Sequence, residues 1–224
     1  MTIKIKICGL SSQEQIEMVR VSGAEICGFI FADPSPRRIE PEYAERNFFS
    51  KAASDIERVA VFVDADSNYI ERCIASVNAN LIQLHGDETI DRCVEIKNSF
   101  GLPIIKAFGI SSELDLASSE RYCDVVDYFL FDAKPDIGLN KQRGGLNKTF
   151  DWSILENWKG GDYYLSGGLN EDNIGDAIKF SSASVIDVSS GVENEPGSKD
   201  KEKIKNFVKL TRMAYERKND KKYL

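Results

Sequence analysis

The sequence predicts a single closed (β/α)8 barrel, and three observations carry that prediction. Short β-branched or aromatic runs alternate in strict order with amphipathic stretches, eight of each. Such alternation implies parallel strands joined by helical crossovers. The chain has 224 residues, which suits one barrel domain over 1–224 near the short end of its size range. Glycine-rich turns follow the seventh and eighth runs, where barrels commonly hold phosphate.

Taken in order, the first strand is expected at 3–7, where isoleucine alternates with lysine, and the first helix near 12–22. The second strand, 25–31, reads Glu-Ile-Cys-Gly-Phe-Ile-Phe, with a helix near 41–52. Glu-Arg-Val-Ala-Val-Phe-Val at 57–63 and Asn-Leu-Ile-Gln-Leu at 80–84 give the third and fourth strands, with helices near 67–77 and 88–99. The fifth strand, 103–108, leads into a segment at 112–121 with little helical periodicity. The sixth strand, 127–131, is aromatic, and its helix is expected at 151–158. Strands at 162–165 and 184–188, with helices near 170–180 and 200–218, complete the set. The lysine-rich tail from Lys218 is expected to be a frayed, solvated end. The competing architecture, an open doubly wound sheet, wants a Gly-x-Gly-x-x-Gly turn after the first strand, and Cys8-Gly9-Leu10-Ser11-Ser12 lacks it.

Composition narrows the partners. A net charge of −7 argues against a surface that tracks nucleic acid, although a small anion pocket built from local amides needs no positive net charge. The 42% hydrophobic and 29% charged content is ordinary for a globular chain. Five scattered cysteines, with no Cys-x-x-Cys pair and one histidine, supply too few clustered ligands for zinc. No apolar run reaches the roughly 18 residues of a membrane span, and the N-terminus shows no signal peptide. A soluble cytoplasmic protein with reduced thiols is expected.

In a barrel the C-terminal strand ends carry the chemistry. Strand side chains alternate faces, so Ile5 and Ile7 should face the helices while Lys4, Lys6 and Cys8 face inward. A buried lysine needs a negative partner, from the protein or from a substrate. A cation beside a thiol favours thiolate, which makes Cys8 a candidate base or nucleophile. Cys27, Cys73, Cys93 and Cys123 read as small buried hydrophobes. Ser166-Gly167-Gly168 after the seventh strand and Ser189-Ser190-Gly191 after the eighth form the candidate phosphate site, and the Gly144-Gly145 pair is expected to close over it. Asp132 ends the aromatic sixth strand, where bulky apolar neighbours should raise its pKa into the range of a general acid. Acid, base and phosphate site together point toward isomerisation of a sugar phosphate.

These residues sit in runs that carry a resemblance. Lys6-Ile7-Cys8-Gly9-Leu10, Gly28-Phe29-Ile30-Phe31 through Ser35-Pro36-Arg37, Gln83-Leu84-His85-Gly86, Phe150-Asp151-Trp152, Ser166-Gly167-Gly168-Leu169 and the run from Asp187 to Glu193 resemble the phosphoribosylanthranilate isomerases. The likeness extends to Pro196-Gly197-Ser198-Lys199-Asp200. It implies a cofactor-free Amadori rearrangement of a phosphorylated small molecule in tryptophan synthesis, with Cys8 as general base and Asp132 as general acid. It further implies substrate contacts from Lys6, Arg37, Gln83, His85 and Asp187. Arg38 is the lesser candidate beside Arg37. The loop Gly144-Gly145-Leu146-Asn147 departs from the family pattern, which more often has a small hydroxyl residue and a glycine at Leu146 and Asn147.

Rival readings remain at this point. Indole-glycerol-phosphate synthase would bring a longer chain and a lysine–glutamate set. The histidine-pathway isomerase would bring paired aspartates and half-barrel repeats. A non-catalytic metabolite-binding barrel would need no Cys8–Asp132 pair. A monomer and a homodimer are equally compatible with the sequence.

Overall fold

The computed structural model describes residues 2–48, 56–134 and 148–220. Eight parallel strands close into a barrel in sequence order: β1 (Lys4–Cys8), β2 (Ile26–Ile30), β3 (Glu57–Phe62), β4 (Leu81–Leu84), β5 (Ile104–Ile110), β6 (Tyr128–Ala133), β7 (Tyr163–Leu165) and β8 (Val185–Val188). Closure comes from β8 pairing with β1, with Lys6 opposite Asp187. The α-helices are α1 (Gln13–Ser22), α2 (Pro41–Asn47), α3 (Ser67–Ser76), α4 (Ile90–Phe100), α5 (Glu113–Ser119), α6 (Ile174–Phe180) and α7 (Lys201–Asp220).

Strand alternation divides the buried residues into two cores. The larger lies between strands and helices and takes Ile5, Ile7, Phe29, Phe62, Phe129 and Phe131. The smaller fills the barrel with Cys8, Ile26, Val59, Leu81, Ile105, Leu130, Tyr164 and Val185. The inward set expected on the first strand is therefore seen, with Lys6 and Cys8 buried. Lys4, by contrast, lies at the other end of β1 and pairs with Glu57 near the surface.

Local chemistry explains where the elements differ from expectation. The fifth helix forms despite its poor periodicity because Ser112 and Asp115 make a reciprocal capping box, which satisfies two otherwise free amides. At the sixth position the chain makes a 3-10 segment, Trp152–Asn157, instead of an α-helix; Asp151 caps it by accepting from the Ser153 amide at 3.0 Å. α6 starts at Ile174, because the Asn170 side chain accepts from the amides of Asp172 and Asn173 and turns the preceding residues. α7 stays helical through Asp220, and Lys218, expected in a solvated tail, donates to the Ile178 carbonyl at 2.9 Å. A short antiparallel hairpin, β9 (Glu193–Glu195) and β10 (Ser198–Lys199), follows β8 and was not foreseen. No helix among the described residues is long and apolar enough to cross a membrane.

Candidate active site

The C-terminal ends of β1, β6 and β8 bring Cys8, Lys6, Asp132 and Asp187 together. Lys6 Nζ donates to Asp187 Oδ1 at 2.9 Å, with both side chains buried, and also bonds the Cys8 side chain. Gly28 on β2 makes the room: a Cβ there would stand 2.8 Å from Cys8 Sγ and 3.1 Å from Lys6 Cε. This strand glycine was not singled out as functional, yet a glycine inside a strand is itself a signal of close approach.

Burial pushes the Cys8 thiol above its ordinary pKa; Lys6 and Lys199 pull it back, and Asp187 pushes it further up. The expected net lowering by Lys6 is thus reversed in this closed site, because desolvation of a thiolate outweighs one cation already shared with a carboxylate. Burial likewise raises Asp132, to about 7; the Ala133 amide at 2.7 Å opposes the rise and the nearby Asp187 adds to it. The expected direction holds, but the expected cause does not. Phe129 and Phe131 flank Asp132 in sequence and point outward, where they pack on Trp158. Period-two alternation sends them away from the carboxyl, so the barrel interior itself does the desolvating.

His85 follows β4 with Nε2 3.6 Å from Asp132 Oδ2, and Gln83 Nε2 meets its Nδ1 at 2.9 Å. Gln83 is buried, and its Oε1 has no partner among the described residues. The loop carrying His85 is braced by Glu88, which accepts from the amides of Gly86 and Asp64 and pairs with buried Lys106 at 3.1 Å. Lys106 and Glu88 were not foreseen in any such role.

Arg37, in the loop after β2, is buried with its stem against Gly9, where a Cβ would lie 2.6 Å from Arg37 Cδ. Glu193 grips its guanidinium through two hydrogen bonds, 2.8 and 2.7 Å. Arg38 instead lies at the rim with Asp33 and Glu40.

A narrow cavity at the mouth is lined by Asp132, Asp187, Ser189 and Ser190 and by the backbone of Gly167 and Gly168. A wider one of about 340 Å³ opens beside it, bordered by His85, Lys106, Phe108, Tyr122 and again Asp132. The glycines of these two turns are also needed by the packing of the fold itself. Positions for a Cβ at Gly168 and Gly191 are taken by the backbone of Lys148, at 2.7 Å, and by the carbonyl of Leu169, at 1.9 Å. Gly167 has φ +94° and abuts Asp132 Oδ1. These residues let loops pack closely, which shapes the cavity from behind. Gly145 lies outside the described residues.

Fold and site define a class: a (β/α)8 barrel whose mouth sets a protonatable carboxyl on a small pocket, with a thiol adjoining the Lys6–Asp187 pair beneath it, suited to acid–base chemistry on a small molecule. Comparison with known proteins narrows this. The model of the N-(5'phosphoribosyl)anthranilate (PRA) isomerase family matches residues 5–210, and the chain belongs to that family. It is 41% identical over 217 residues to N-(5'-phosphoribosyl)anthranilate isomerase of Bradyrhizobium sp. (strain ORS 278), covering 96% of this chain and 98% of the relative. It is 45% identical over 205 residues to that of Agrobacterium fabrum, covering 91% and 92%. The crystal structure of phosphoribosyl anthranilate isomerase from Thermotoga maritima superimposes with a TM-score of 0.83 at 36% identity, covering 94% of this chain and 99% of that one. A phosphoribosyl anthranilate isomerase solved with reduced 1-(o-carboxyphenylamino)-1-deoxyribulose 5-phosphate gives 0.79 at 33%, with the same coverage.

Proposed function

We propose that this chain converts N-(5'-phosphoribosyl)anthranilate to 1-(2-carboxyphenylamino)-1-deoxyribulose 5-phosphate by an Amadori rearrangement, the third step of tryptophan biosynthesis from anthranilate. The observation that carries the reading is Asp132: a carboxyl raised to about 7 lines one pocket with Asp187, whose partner Lys6 also bonds the Cys8 side chain. A carboxyl poised there can hold a proton near neutral pH and deliver it.

In this mechanism Asp132 protonates the furanose ring oxygen. The C1–O bond breaks, and the nitrogen lone pair forms a protonated Schiff base to C1. Cys8, as thiolate, takes the proton from C2, and the electron pair left behind neutralises the nitrogen to give an enolamine. Tautomerisation of the C2 enol to a ketone completes the product. Each proton transfer is worth about 10²–10⁴-fold. Asp187 holds Lys6 in place and can meet sugar hydroxyls, Arg37 meets the substrate carboxylate, and Gln83 and His85 order the mouth beside Asp132. Gly167, Gly168, Ser189, Ser190 and Gly191 form the phosphate end, and Gly145 is assigned to it from the sequence alone.

Five free thiols fit a cytoplasmic setting. The Thermotoga relative is described as a dimer from which monomers were generated; for this chain, monomer and homodimer are distinguished by sedimentation velocity. Incubating the purified protein with N-(5'-phosphoribosyl)anthranilate should abolish the substrate's fluorescence at a rate proportional to enzyme. No loss above the buffer rate would refute the activity.

A further inference from the structure

Two buried cations at the barrel mouth share one carboxylate. Glu193 opens β9 and Lys199 closes β10, and the antiparallel register sets them opposite each other. Glu193 Oε2 accepts from Arg37 Nη2 at 2.7 Å, while Oε1 accepts from both Arg37 Nε at 2.8 Å and Lys199 Nζ at 2.6 Å. The three side chains are almost wholly buried, at 4% exposure for Arg37, 3% for Glu193 and 0% for Lys199. Lys199 Nζ also donates to the Ser189 carbonyl at 3.1 Å and its Oγ at 3.2 Å, and Ser189 Oγ in turn donates to the Cys8 carbonyl at 2.9 Å. One unbroken polar chain thus runs Arg37–Glu193–Lys199–Ser189–Cys8.

Charge arithmetic within the trio leaves +1, and among the described residues neither cation pairs with a second carboxylate. Glu193 is therefore the one carboxylate among the described residues that holds both side chains in place. The fork of Arg37 has two of its nitrogens committed to Glu193, which locks the plane of the guanidinium, while Nη1 has no hydrogen-bond partner among the described residues.

We propose that Glu193 and Lys199 are positioning residues that fix the Arg37 side chain and Ser189 against each other across Gly9, where an added Cβ would meet Arg37 Cδ at 2.6 Å and Ser189 Oγ at 3.2 Å, so that substrate contacts made through Arg37 and through Ser189 are coupled. The inference rests on the reading of Arg37 and Ser189 as substrate contacts. It assigns the hairpin after β8 a function: it presents one carboxylate to two cations that come from distant parts of the chain.

Steady-state kinetics with inorganic phosphate as competitive inhibitor test this. Glu193→Gln should raise KM at least about tenfold with a much smaller change in kcat, since the guanidinium of Arg37 loses the fork that fixes its plane and its contact with substrate is no longer preorganised. Glu193→Asp should recover part of the loss. Lys199→Met keeps the Arg37–Glu193 fork and should raise the phosphate inhibition constant several-fold. Arg37→Met should raise KM by itself, and adding Glu193→Gln to it should raise KM by less than the product of the two single effects, because both remove the Arg37–Glu193 fork and only the Lys199 link remains to be lost. A folded Glu193→Gln enzyme with unchanged KM, or fully additive effects in the double variant, would overturn the proposal. An Arg37→Met enzyme with unchanged KM refutes the reading of Arg37 itself, and the coupling falls with it. Should Glu193→Gln fail to fold, Lys199→Met decides: an unchanged phosphate inhibition constant sinks the coupling.

Discussion

Lys6 Nζ lies 2.9 Å from Asp187 Oδ1 across the β1–β8 seam, and neither side chain has appreciable contact with solvent. The pair places a cation and an anion beside the same thiol, with opposite effects on it. Lys6→Met removes the cation and strands Asp187, so both consequences raise the thiol further. We expect slower alkylation of Cys8 by iodoacetamide at neutral pH and a large fall in kcat. Stability should also drop by about 3–5 kcal/mol, the usual cost of an unpaired buried charge. An unchanged alkylation rate in a folded Lys6→Met protein would mean the thiolate draws its stabilisation elsewhere.

Gly28 has an ordinary strand backbone, and its role is space alone. A Cβ at this position must displace Cys8 Sγ, 2.8 Å away, or Lys6 Cε. Gly28→Ala should therefore fold, and lower kcat on the order of 10²-fold through displacement of the base by a fraction of an ångström. KM should change little. Wild-type turnover in Gly28→Ala would show that the position of the Cys8 sulfur is not critical.

Much of this site is legible in local pattern, and the remainder depends on pairings that pattern does not reveal. Lys4-Ile5-Lys6-Ile7-Cys8 displays its two faces directly, and strand order alone places Cys8, Asp132 and Asp187 at one mouth. Alternation also turns Phe129 and Phe131 away from Asp132, so the aromatic run is two faces and not one neighbourhood. Glycine pairs mark close approach without saying to what, so the backbone of Lys148 and the Leu169 carbonyl were invisible behind them. Glu193 meets Arg37 across 156 positions, and no local spacing announces such a contact. The hairpin that carries Glu193 is too short for its strands to show a period.

Asp132 should make the fold weaker as pH rises. Its native carboxyl titrates near 7, whereas an unfolded chain releases that proton near 3.8. Between those values the native state holds more protons than the unfolded one, so stability is lost as pH climbs from about 4 to about 7 and stays lost above. Asp132→Asn removes the penalty. We expect its melting temperature to exceed that of the wild type at pH 8, with the gain shrinking toward pH 4, while turnover is abolished. Scanning calorimetry across this range checks the sign: a variant less stable than wild type at pH 8 would mean that the ionised carboxylate is well paired in the fold.

The activity profile follows from the same two groups. The working form needs protonated Asp132 with Cys8 as thiolate, although Asp132 is the stronger acid, at about 7 against a thiol raised above its ordinary range. The working form therefore carries the same number of protons as the dominant resting form, carboxylate with thiol, and the two share one pH dependence. Both are lost to double protonation below about pH 7 and to double deprotonation above the thiol's titration. The kcat/KM profile should be a bell with its rising limb near 7 and its optimum on the alkaline side. The working form is a minor fraction at every pH, so Lys6 contributes by enlarging it. In Asp132→Glu, a longer carboxyl in the same interior, the rising limb should move with the new group's pKa while the falling limb stays. If the rising limb of that variant is unmoved in residual activity, some group other than Asp132 sets it, and the pairing of this acid with this thiol is wrong.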